Sequence, residues 1–112
     1  MKLSTQAEDD IFVITVMEDR IDAAVALAFK EAMRSHAEQV AKTVVLDLAN
    51  VNFIDSSGLG ALVGTMKHLA PERTLLLAGM TAPVEKVFEL TRMDTVFRMF
   101  KTRQDALLAQ KE

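Results

Sequence analysis

The residues best suited to chemistry lie in one stretch, Asn52-Phe53-Ile54-Asp55-Ser56-Ser57-Gly58-Leu59-Gly60-Ala61-Leu62-Val63-Gly64. Two hydroxyls follow a carboxylate and lead into three of the chain's four glycines. Leu59, Leu62, Val63, Met66 and Leu69 keep helical spacing, which puts the hydroxyls at a helix start. There Asp55, Ser56 or Ser57 can cap the helix by accepting a hydrogen bond from an otherwise unpaired N–H. The same place suits a phosphoserine. A phosphate brings about −1.5 to −2 charges, and a helix N-terminus offers unpaired N–H groups and a positive dipole end. Spacing alone leaves capping and phosphorylation both open. Each helical glycine costs about 1 kcal/mol relative to alanine. Gly60 and Gly64, four apart, share one face, so a neighbouring sheet or another protein is expected to approach the backbone there.

Enzymatic readings fail on geometry. Gly58-Leu59-Gly60 with Gly64 is one residue too long for a dinucleotide fingerprint and follows a loop. Ala78-Gly79-Met80 stand where that motif needs an acid. Gly-Lys-Ser/Thr never occurs, and Ile54 or Asp55 stands where a nucleophile elbow needs glycine. His36 and His68 have no partner at metal-ligand spacing and read as solvated helix residues. Asp22, Asp47 and Asp55 could converge at strand ends, but nothing marks an acid–base pair among them. Seven Met residues read as core filling. No catalytic residue, cofactor or metal is expected.

The positioning elements must come from 112 residues, a length that favours one domain over 1–112. Half the residues are hydrophobic, enough for one ordinary core. The lack of cysteine excludes a disulfide framework, Cys-ligated zinc and thiol catalysis. Thirteen basic against 16 acidic residues give no support to direct nucleic-acid binding, and six Phe without Tyr or Trp leave little for base stacking. No apolar run approaches the ~20 residues of a membrane helix. The opening MKLSTQAEDD carries acids where a signal peptide would be apolar. A small, soluble, cytoplasmic domain is the expectation, with no membrane insertion.

Ile11 to Met17 is β-branched and apolar and predicts a buried strand, with Leu3 to Ala7 as a preceding edge strand across the turn Glu8-Asp9-Asp10. Asp22 is expected to cap a helix over Ala23 to Gln39. Ala26, Phe29, Met33, Ala37 and Val40 form its apolar stripe, while Lys30, Glu31, Arg34 and Glu38 fall mainly off it. Thr43 to Ala49 reads as the next strand and Asn50 to Ile54 as a loop. A helix then runs from Ser56 or Ser57 to about Leu69, stopped by Pro71. Thr74 to Gly79 is a strand, and Thr81 can cap a helix carrying Pro83 in its first turn, with Val84, Val87, Phe88 and Thr91 on one face. Val96 to Phe100 and Gln104 to Gln110 complete the order as a strand and a helix. The alternation predicts an α/β fold: a central, mostly parallel sheet of four to five strands with an N-terminal hairpin, packed by about four helices.

The run from Leu46 to Gly60, with Asp55-Ser56-Ser57-Gly58-Leu59-Gly60 at its centre, resembles the signature of the STAS family, named for sulfate transporters and anti-sigma factor antagonists. Ile21-Asp22 before an Ala-rich helix, Leu77-Ala78-Gly79, and Val84, Val87, Phe88 and Leu90 with Val96-Phe97 extend the resemblance to about residues 10–108. Asp19-Arg20-Ile21-Asp22 departs from the family's Gly-x-x-Asp junction by lacking the glycine. The resemblance implies a non-catalytic partner switch in bacterial signal transduction and transcription regulation. Its partner would be an anti-sigma factor that is also a serine kinase, with a metal-dependent serine phosphatase restoring binding. Ser56 would be the phosphoacceptor. Asp22, Asp55, Ser57, Gly58, Leu59 and Gly60 would join it in the partner-binding surface of a monomer or weak homodimer. A scaffold, or the cytoplasmic accessory subunit of a larger assembly such as a lipid transporter, is the other role the resemblance implies.

Overall fold

A computed structural model describes residues 1–36 and 41–110. Five strands form the main sheet in the order β1-β2-β4-β6-β7: β1 (Leu3–Glu8), β2 (Ile11–Val16), β4 (Thr43–Asp47), β6 (Thr74–Ala78) and β7 (Arg98–Phe100). β1 and β2 make the antiparallel N-terminal hairpin, and all other pairings in this sheet are parallel. A two-stranded parallel ribbon, β3 (Arg20–Ile21) with β5 (Phe53–Ile54), stands apart from it. The helices are α1 (Ala26–His36), α2 (Ser56–Leu69), α3 (Ala82–Leu90) and α4 (Arg103–Ala109). The expected α/β architecture of five mostly parallel strands, a hairpin and four helices is therefore present.

The period-2 alternation of the strands divides the apolar side chains between two layers. Phe12, Ile14, Val16, Val44, Leu46, Leu75 and Leu77 meet Phe29 and Met33 of α1, Leu62 of α2, and Val84 and Phe88 of α3 in the larger core. Ile11, Val13, Val45, Leu76 and Ala78 face the other way and meet Ala106 and Leu107 of α4. Right-handed crossovers between successive parallel strands place α1, α2 and α3 on one face, leaving α4 to cover the other.

Several elements differ from expectation in their details. α1 begins at Ala26, not Ala23, because Asp22 first closes a turn: its carbonyl accepts from Val25 N and Ala26 N, and its Oδ1 from Ala24 N at 3.1 Å. Ala37, Glu38, Gln39 and Val40 lie outside the described residues. Thr81 occupies the N-cap of α3 without capping it, since its hydroxyl donates to Val51 O at 2.7 Å. Thr91, expected on the apolar face of α3, is exposed at its C-cap. A 3-10 turn over Met93–Thr95 delays the last strand to Arg98. Gly79 leaves β6 at φ +72°, a conformation open to glycine, with Asp47 Oδ1 3.0 Å from where a Cβ would stand.

Candidate functional site

The ribbon of β3 and β5 brings the two candidate loops together, and its brevity explains why the intervening segment reads as plain loop. Ile21 and Ile54 pair and bury their side chains, while Arg20 and Phe53, paired beside them, stay exposed. Each loop then enters a helix. Asp55 is the N-cap of α2, with extended backbone and Oδ1 accepting from Gly58 N at 3.0 Å. Its Oδ2 accepts from Ala23 N, at 3.1 Å, in the turn that Asp22 closes. One carboxylate therefore caps α2 and clamps the entry to α1.

The Gly58 N–H is the largest cause holding the Asp55 carboxyl below the usual carboxylate pKa, with the N–H groups of Ala23, Ser57 and Asp55 itself pulling the same way against partial burial. With Asp55 as cap, Ser56 and Ser57 are left exposed as the first two residues of α2, and neither hydroxyl makes a hydrogen bond among the described residues. Between the two readings of the serines, the capping role thus belongs to Asp55.

The glycines separate by environment. Gly58 is the tight one: a Cβ there would collide with the Ile21 carbonyl oxygen and stand 2.7 Å from Ile54 Cγ1. Gly60 is exposed, with open space where its Cβ would lie, and Gly64 meets only the Lys30 side chain, at 3.4 Å. Neither packs on the sheet, so close sheet packing does not account for that pair. Leu59 is buried in the larger core. Of the residues singled out in the motif, Ser56, Ser57 and Gly60 present surface, whereas Gly58 and Leu59 fix the helix against the ribbon.

Sequence spacing missed Arg20 and Phe53. The Arg20 guanidinium lies 4.4 Å from the centroid of the Phe53 ring and its Nε is 3.1 Å from Asp22 Oδ2. Their adjacency depends on two-residue strands, for which no periodicity exists to read. Asp47 does not join Asp22 and Asp55. It is buried at the end of β4, accepts from Ala49 N at 2.9 Å, and faces Arg103 of α4 at 3.9 Å. His68 is exposed as expected, but His36 is half-buried with its ring 6.1 Å from that of Phe12. Among the described residues, no group of three or more His, Cys, Asp or Glu could hold a metal, and no helix is long and apolar enough to cross a membrane.

The family model described as "STAS domain" matches residues 2–106. The chain is 32% identical over 91 residues to an anti-sigma-B factor antagonist of Listeria monocytogenes, spanning 80% of this chain and 76% of the relative. It superposes on the crystal structure of an anti-sigma factor antagonist from Mycobacterium paratuberculosis with a TM-score of 0.88 at 26% identity, over 99% of this chain and 94% of that one. The phosphorylated form of the Bacillus cell fate determinant SpoIIAA shares the fold, with a TM-score of 0.67 at 20% identity over 95% of this chain and 96% of that one.

Proposed function

The chain belongs to the STAS-domain family of anti-sigma factor antagonists, and from that premise we propose that it binds an anti-sigma factor through the surface around Ser56 and lets go when Ser56 is phosphorylated. The role is binding, without catalysis or cofactor. The anti-sigma factor acts as the serine kinase, and a serine phosphatase restores the binding form. The observation that carries the reading is the pairing of an exposed, unbonded Ser56 hydroxyl with an immobilised Asp55 carboxylate directly before it. SpoIIAA, which shares this fold, exists in a phosphorylated form.

The geometry also supports a purely electrostatic switch. The helix N-terminus is not open to receive a phosphate, because Asp55 already takes the Gly58 N–H and lies against that of Ser57. A phosphate on Ser56 therefore adds about −1.5 to −2 charges beside an existing carboxylate and projects them outward. A partner closing over that surface would have to strip their water, which costs several kcal/mol unless cations match them. Since 1.4 kcal/mol is tenfold in affinity, this suffices for release. Asp22, Ser57 and Gly60 complete the contact surface, with Gly58 and Leu59 acting through the position they give α2.

Kinase assays and binding measurements with the cognate anti-sigma factor test the proposal. Ser56→Ala is expected to bind constitutively and take no phosphate, Ser56→Asp to bind at least tenfold more weakly, and Ser57→Ala to remain a substrate. Phosphate found on Ser57, or parental affinity in Ser56→Asp, would overturn it.

A further inference from the structure

α1 and α2 start together, where Asp55 ties Ala23 to the head of α2, and they run on side by side. Farther along, the seam between them opens into a narrow crevice lined by Lys30 and Arg34 of α1 and by Gly64, Thr65 and His68 of α2. Lys67 stands next to His68 in the last turn of α2. All four basic side chains are exposed, and none makes a hydrogen bond or an ion pair among the described residues. The Thr65 hydroxyl donates to Ala61 O at 2.9 Å, so the basic groups alone face an incoming ligand. Helix dipoles favour cations in a last turn, which accounts for Arg34, Lys67 and His68. They do not account for Lys30, mid-helix and four residues before Arg34, a spacing at which like charges repel. Its side chain reaches over to α2, with Cε and Nζ 3.4 and 3.8 Å from where a Cβ on Gly64 would stand. A chain with a formal charge of −3 thus gathers unpaired cations into one seam.

We propose that this seam receives an acidic segment of the protein that binds at Ser56, its carboxylates seated between Lys30, Arg34 and His68. The proposal rests on the binding role inferred above for the head of α2. Gly64 lies eight residues past Ser56, about 12 Å along the helix, so a partner covering one reaches the other without a break. Gly60, exposed between them with open space above it, leaves the way along α2 clear. A short run of carboxylates fits the seam better than an extended polyanion. A nucleic acid or an anionic bilayer spreads its charge over a wide area and would meet the chain's excess of acids. An acidic segment meets the basic seam alone. Exposed charges of this kind act chiefly on the rate of encounter and on its salt dependence.

Titrations of the cognate anti-sigma factor at rising salt test it. Parental affinity should fall steeply as the charges are screened. Lys30→Glu/Arg34→Glu should bind at least tenfold more weakly, with a flatter salt dependence. Lys86→Glu/Lys101→Glu changes the net charge equally, on α3 and after β7, and should bind like the parent. Gly64→Glu puts a carboxylate into the seam from within and should bind at least tenfold more weakly than Gly64→Gln of the same size. That pair decides if the double variant fails to fold. Parental affinity in Lys30→Glu/Arg34→Glu, an equal loss in Lys86→Glu/Lys101→Glu, equal binding by the two Gly64 variants, or a parent insensitive to salt would each overturn the proposal. So would capture of the parent, but not of Lys30→Glu/Arg34→Glu, by phosphatidylserine vesicles or duplex DNA, which would assign the seam to another polyanion. Ser56→Asp run alongside separates the two readings. If it binds weakly while the seam variants bind like the parent, the seam alone falls. A parent that does not bind removes the binding role on which both rest.

Discussion

Gly58 and Gly60 lie two residues apart on α2 and meet opposite surroundings. Adding a methyl group at Gly58 drives it into the Ile21 carbonyl and the Ile54 side chain, which are held by the ribbon and cannot both yield. Gly58→Ala should therefore lower the denaturation free energy by about 1–3 kcal/mol, the cost of overpacking. Gly60→Ala meets open space and relieves the glycine penalty, so it should raise stability by about 1 kcal/mol and the melting temperature by several degrees. If the partner approaches Gly60 closely, the stabilised variant should nonetheless bind more weakly. Asp55 gives a pH dependence with a definite sign. Its folded pKa lies below the ordinary value, chiefly through the Gly58 N–H. Such a group contributes stability above its unfolded pKa and loses it as pH falls through the folded one. Thermal melts from neutral to strongly acid pH should show the parent losing its advantage over Asp55→Asn as the solution is acidified.

At the scale of elements, α4 stands apart from the other helices in docking on the smaller core. It docks Ala106 and Leu107 on the smaller core, and Arg103 reaches across the sheet to Gln6, Thr15 and Asp47. Leu107→Ala should cost about 2–3 kcal/mol in denaturant unfolding, near the low end for buried leucine, because the site lies at the sheet's periphery. Under the proposed function, binding around Ser56 should not change, since α4 sits on the other face of the sheet. The central strands β2, β4 and β6 and the helix α2 were legible because apolar, β-branched runs and a capped apolar repeat bounded by Pro71 carry their own pattern. α1 was legible in type but not in its start, because the competing turn at Asp22 is held by Asp55, 33 residues later, a contact no local signal reveals. The same holds for Thr81, whose hydroxyl serves Val51 O instead of its own helix. At the candidate site, spacing marked the helix start and offered Asp55, Ser56 and Ser57 as caps; that Asp55 takes the role depends on the Gly58 N–H and on Ala23 of the other loop. Arg20 and Phe53 could not be read that way, because two-residue strands leave no pattern and their stacking is purely tertiary.

For the molecule as a whole, the question is whether phosphorylation acts where it lands or through the fold. It would take the formal charge from −3 to about −5, a modest change spread over 112 residues but a large one at a single helix end. The residues bound to that end form a closed set. Asp55 ties α2 to Ala23, the Ile21 carbonyl accepts from Asp55 N at 3.4 Å, and Arg20 leans on Phe53 and Asp22. Behind them lies a core in which Ile21, Leu62 and Phe29 are fully buried, and close-packed interiors do not deform continuously under a surface charge. Under the proposed switch, no second arrangement of an element is needed for release, because the desolvation cost falls at the contact itself. Backbone amide shifts recorded before and after phosphorylation should accordingly move over residues 19–24 and 53–60 and stay fixed through β1, β7 and α4. Ser56→Asp, with one charge on a shorter side chain, should shift the same amides by less. Movement spread across the far strands would mean that release depends on a conformational change, and the local electrostatic account would have to be abandoned.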